Sequence, residues 1–86
     1  MYRVILSKRA LKDYEKLKQA GLLKQAGLLV TVLKENPFQS PPLFEKLSGD
    51  LKGYYSRRIN QQHRLVYSVD KDAKIAVIRS MWTHYE

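Results

Sequence analysis

The chain has 86 residues, 44% of them hydrophobic, enough for one folded domain (1–86) and too few for a second. Sixteen Lys and Arg against eight Asp and Glu leave a net charge of +8, a field that attracts nucleic acid or acidic proteins. The absence of cysteine excludes disulfides, thiolate catalysis and Cys-ligated zinc, and no run approaches the ~18 apolar residues of a membrane span. Met1–Ser7 lacks the apolar stretch and small-residue cleavage site of a signal peptide, so a cytoplasmic protein with no membrane contact is expected. His63 and His84 are far apart in sequence, and neither a metal nor another cofactor is called for.

Tyr2–Leu6 is rich in β-formers and is predicted to be a strand. Ser7 suits an N-cap, and Ala10, Leu11, Tyr14 and Leu17 then recur at helical spacing, which predicts a helix over Lys8–Gln19 with Gly21 as its stop. Lys8, Lys12 and Lys16 form a basic stripe on it, readable as a phosphate contact or as a solvated face. Leu22–Asn36 is apolar almost all round and predicts a second helix, with Gly27 unfavourable inside it. The hexapeptide Lys18–Leu23 recurs as Lys24–Leu29. Six residues turn a helix through about 600°, so the copies face different directions and imply no solenoid.

Asn36-Pro37 ends that helix. From Pro37 to Gly53 a segment holding all three prolines is predicted to be a long surface loop, and loops of that length in small domains are usually functional. Three strands follow: Tyr54–Asn60, His63–Asp70 and Ile75–Ser80. The order β-α-α-β-β-β implies an α+β domain, an antiparallel sheet with both helices packed on one face and the other face open.

Strand alternation puts Arg58 with Tyr54 and Ser56, and Arg64 with Val66 and Ser68. Since Leu65, Tyr67 and Val69 look core-facing, Arg64 belongs to the open face, where basic groups beside aromatic rings suit a phosphate backbone with stacked bases. His63 falls on the core side and reads as structural. The final Trp82-Thr-His-Tyr-Glu86 is unusually aromatic for a chain end. It is either a plug that seals the core, with His84 a bystander, or a fixed mount for an imidazole that titrates near neutral pH.

Glu45 in the proline-containing segment, Tyr55-Ser-Arg-Arg-Ile59, His63-Arg-Leu-Val-Tyr67 and the closing His84-Tyr85 together resemble the Txe/YoeB toxins of the RelE superfamily of toxin–antitoxin systems. The likeness is dense from Leu47 to Tyr85 and diffuse over the helices. It implies a RelE-like fold and a ribosome-dependent endoribonuclease that cuts mRNA, held inactive by an acidic cognate antitoxin, with operator DNA reached only through that antitoxin. In such toxins a loop Glu is the general base, a strand Arg steadies the phosphate and a terminal His is the general acid. By position these are Glu45, Arg64 and His84, with Arg58 and Tyr85 in supporting places; Tyr54, as a ring that could stack on a base, and Lys46 are further substrate-binding candidates. Relatives often carry a Lys three residues after the Glu; that position is Ser48 here, and Lys46 or Lys52 is the alternative source of charge. Without the resemblance, Glu45 would read as a solvated acid and Arg64 as an ion-pair partner. The alternative function is a non-catalytic RNA- or ribosome-binding protein, or a gyrase inhibitor on the same fold. The residues leave monomer and homodimer both open.

Overall fold

The computed structural model describes residues 1–82. In chain order it contains β1 (Arg3–Leu6), α1 (Lys8–Gln19), α2 (Leu23–Glu35), β2 (Phe44–Lys46), a 3-10 turn at Gly49–Leu51, β3 (Tyr54–Arg58), β4 (Arg64–Asp70) and β5 (Ile75–Ser80). The sheet order is β1-β5-β4-β3-β2. The α+β class and the helix placement are as expected, and two details differ. The sheet is mixed, because β1 lies parallel to β5 while β2, β3, β4 and β5 pair antiparallel in turn. It also has an additional edge strand, β2, inside the segment expected to be loop.

Helix α1 starts where the sequence says it should. Ser7 Oγ accepts the N–H of Ala10 at 3.1 Å, and the same hydroxyl donates to Arg79 O at 2.9 Å, tying the cap to the end of β5. Gly21 ends the turn after α1 with φ +75°, a left-handed conformation that glycine adopts without a Cβ clash. The buried face of α1 is Ala10, Asp13 and Leu17; Leu11 and Tyr14, expected to join it, are exposed. Positions 10, 13 and 17 follow the i, i+3, i+7 stripe, so the face was legible once a polar residue was admitted to it. Asp13 is admitted because its Oδ2 accepts the backbone N–H groups of Met81 (3.0 Å) and Trp82 (3.3 Å), just beyond β5.

The main core is built from Leu17, Leu29, Leu33, Leu65, Tyr67, Ile78 and Met81, with Val4 and Leu6 packed against it. Beyond the helices, on the β3 side, the cover is aromatic. Phe38 and Phe44 meet Tyr55 edge-on with ring centroids 5.4 and 5.9 Å apart, and Tyr55 lies 5.6 Å from Tyr67. His63 is buried and stacks on Trp82 (centroids 3.9 Å, planes 24° apart), a structural role that also closes the core. No helix among the described residues is long and apolar enough to cross a membrane.

Burial raises the Tyr67 phenol above its ordinary value, an effect partly offset by the neighbouring Arg57 guanidinium. The neutral phenol donates to Pro37 O at 2.7 Å. A pKa that rises on folding contributes stability that is fully present below the unfolded value, near 10.0, and is lost as pH rises through the folded one. The stability difference between the parent and Tyr67→Phe is therefore expected to shrink above about pH 10. Urea melts at pH 8 and pH 11 check this, and a difference that grows with pH contradicts it.

Candidate active site

Edge strand β2 supplies the carboxylate. Its register sets Glu45 opposite Ser56 of β3, Ser56 opposite Val66 of β4, and Arg58 opposite Arg64. Side chains that alternate along each strand therefore bring Glu45, Ser56, Arg58 and Arg64 to the sheet face away from the helices. Arg64 Nη1 donates to Glu45 Oε1 at 2.6 Å and lies 3.3 Å from Ser56 Oγ. These residues, with Pro42 and Leu43, line a cleft of about 250 Å³. Its charged groups are one carboxylate and two guanidiniums, so the cleft is cationic and suits an anion.

The sequence reading is met unevenly across the remaining positions. Tyr54 shares the Ser56 face, two positions along β3, with the Arg79 guanidinium 5.7 Å from its ring centroid. Lys46 is exposed but follows Glu45 on β2, so alternation turns it to the opposite face, opposite Tyr55. It is not brought to the cleft. Lys52 lies beyond the 3-10 turn and is not among the cleft residues either. Lys8, Lys12 and Lys16 are exposed together on α1, which packs on the other side of the sheet. His84 and Tyr85 lie outside the described residues. Among those residues, no group of three or more His, Cys, Asp or Glu could hold a metal ion.

Four residues escaped the sequence reading. Arg79 reaches the cleft face by alternation along β5, on the side of Val77, which lies opposite Ser68, and its Nε lies 3.3 Å from Ser68 Oγ. The bulge beside it, where Ile78 pairs with Tyr67 and Ser80 with Val66, has no mark in the local sequence. Pro42 and Leu43 fall in the segment predicted to be loop, although their position three and two residues before Glu45 made them candidates for the cleft wall. Arg57 lies with Tyr55 and Ile59 by alternation along β3, a pattern that by itself assigns it no role.

The family model for YoeB-like toxins of bacterial type II toxin–antitoxin systems matches residues 6–85. The chain is 42% identical over 75 residues to a Toxin YoeB from Synechocystis, a stretch covering 86% of this chain and 77% of that protein. Among solved structures, a YoeB/ParE toxin from Agrobacterium tumefaciens superposes with a TM-score of 0.86 at 29% identity, covering 96% of this chain and 99% of the other. The YoeB chain of a YoeB–YefM complex from Staphylococcus aureus does so at 0.81 and 35%, with 99% of both chains covered. YafQ from Escherichia coli, at 19% identity and a TM-score of 0.82, shares the fold. With that match over nearly its whole length, and with the Glu45, Arg58 and Arg64 cluster on one face of the sheet, the chain belongs to the YoeB-like toxins of bacterial type II toxin–antitoxin systems.

Proposed function

We propose that the chain is a ribosome-dependent mRNA endoribonuclease working by metal-free acid–base catalysis. The observation that carries this reading is the 2.6 Å contact between Glu45 Oε1 and Arg64 Nη1 in a cleft that also holds Arg58. A carboxylate accepts at two oxygens, so one can hold the guanidinium while the other receives a proton. In the proposed reaction Glu45 removes the proton of a ribose 2′-OH, and O2′ attacks the adjacent phosphorus. Negative charge then builds on the equatorial oxygens of the phosphorane, where the planar, permanently charged guanidinium of Arg64 is suited to bidentate contact. As the P–O5′ bond breaks, His84 delivers a proton to O5′. The products are a 2′,3′-cyclic phosphate and a 5′-hydroxyl. Arg58 contacts the neighbouring phosphate, while Tyr54 and Tyr85 offer faces on which bases stack.

The net charge of +8 and the YoeB–YefM complexes solved from Staphylococcus aureus support an acidic cognate antitoxin as partner, with operator DNA bound through it. A YoeB dimer solved from the same organism supports a homodimer of the free chain. The working compartment is the cytoplasm, where ribosomes meet mRNA.

Product chemistry on programmed ribosomes tests the reading. Message translated in the presence of the protein is expected to show discrete cuts by primer extension, with 2′,3′-cyclic phosphate ends. A single 2′-deoxy substitution 5′ of the scissile bond removes the nucleophile and should leave that bond intact. Message bound but uncut sinks the enzyme and favours an RNA- or ribosome-binding role. Inhibition of gyrase without cleavage favours the other non-catalytic alternative.

A further inference from the structure

Arg57 is 1% exposed, an unusual place for a residue that cannot lose its charge. Among the described residues its hydrogen-bond partners include no carboxylate. Instead its guanidinium donates to three backbone carbonyls of one segment: Nη2 to Pro37 O (2.9 Å) and Gln39 O (2.8 Å), and Nη1 to Pro42 O. Nε donates to Tyr67 Oη at 3.2 Å, and the Phe44 ring lies beneath the guanidinium carbon at 4.9 Å. The physical logic lies in the prolines. Pro37, Pro41 and Pro42 have no N–H, so this stretch cannot zip onto the sheet edge as a ladder. Its carbonyls still need donors, and one five-donor fork supplies them from β3.

That stretch leads straight into the cleft. Pro42 and Leu43 are cleft walls, and Glu45 follows three positions after Pro42 on a strand of only three residues. A strand so short has little ladder of its own to fix its place, so its position depends on what holds the segment before it. We propose that Arg57 is a positioning residue for Glu45, holding the Pro37–Pro42 segment and β2 from beneath while its neighbour Arg58 faces the cleft. The proposal rests on the nuclease reading for its effect on rate, and on the segment's geometry alone for its effect on structure.

The test uses Arg57→Lys, which keeps the charge but replaces the planar fork by a point donor. A second variant, Tyr67→Phe, keeps the ring and removes the hydroxyl shared by Arg57 and Pro37. Leu33→Val, in the helix-side core, serves as a control for general destabilisation. Hydrogen exchange of the peptide spanning residues 43–47 is expected to quicken about tenfold or more in Arg57→Lys, and less in Tyr67→Phe, while α1 and β5 keep their protection. On programmed ribosomes kcat is expected to fall about 10²-fold at near-parental KM, since misplacing a catalytic group by about 1 Å costs that much. In a Glu45→Gln background the Arg57 substitution should add no further loss, because both act through one group. Unchanged exchange at 43–47, or a rate loss that adds fully to that of Glu45→Gln, overturns the proposal. If Arg57→Lys does not fold, Tyr67→Phe carries the same two readouts and the same two refuting outcomes. If the parent itself does not cut RNA, the nuclease reading fails, and the exchange measurement still decides whether Arg57 holds the segment.

Discussion

Glu45→Gln is expected to lower mRNA cleavage by about 10²–10⁴-fold, the usual contribution of a general base, with no measurable loss of fold. The second half of that expectation follows from exposure. The Glu45 side chain is 59% exposed and that of Arg64 24%, so their ion pair contributes about 0–1 kcal/mol to stability. The amide of Gln can still accept from Arg64 but cannot take a proton from a ribose hydroxyl. Cleavage rates on programmed ribosomes, alongside melting curves, separate chemistry from folding. Parental rates in Glu45→Gln would remove the base from the mechanism, and His84→Gln puts the proposed acid to the same trial. A Glu45→Gln protein that melts well below the parent would show instead that the pair is structural.

Asp13→Ala is the opposite case, a carboxylate with a large effect on stability and no place in the proposed chemistry. Asp13 is 3% exposed, and its Oδ2 is the recorded acceptor for one buried and one part-buried backbone N–H at the end of β5. Leaving two such donors without a partner costs about 1–3 kcal/mol each, so a total loss of about 2–6 kcal/mol is expected. For a domain of this size that corresponds to a fall in melting temperature of more than about 10 °C. Arg9 sits 3.8 Å from the same carboxylate but its side chain is 67% exposed, and Arg9→Ala should cost little. Denaturant melts of the two variants decide the matter. Equal losses would mean that the surface pair, and not the backbone hydrogen bonds, is what Asp13 provides.

The two carboxylates show how far local sequence reaches. Glu45 was legible as a site candidate only through its resemblance to known toxins, because an exposed acid in a proline-containing stretch is ordinary. Asp13 lay on the buried stripe of an amphipathic helix, a visible clue, but the groups that make its burial tolerable arrive from the far end of the chain. Arg57 is intermediate: alternation on β3 groups it with Tyr55 and Ile59, while its carbonyl partners come from a segment whose path no pattern specified.

What residue order determined unaided was whatever depends on neighbours along the chain. Helix α1 begins at its Ser7 cap and ends before Gly21, β5 occupies Ile75–Ser80 as its apolar run requires, and Arg58 shares a face with Ser56, and Arg64 with Ser68, because side chains alternate along strands. Tertiary structure alone decided the parallel pairing of β1 with β5, the edge strand β2 and the bulge in β5 at Arg79. Each of these depends on hydrogen-bond partners remote in sequence or on register between strands. Backbone N–H and C=O groups are alike at every non-proline position, so which of them meet is settled by the packing of the whole domain and not by the residues that carry them.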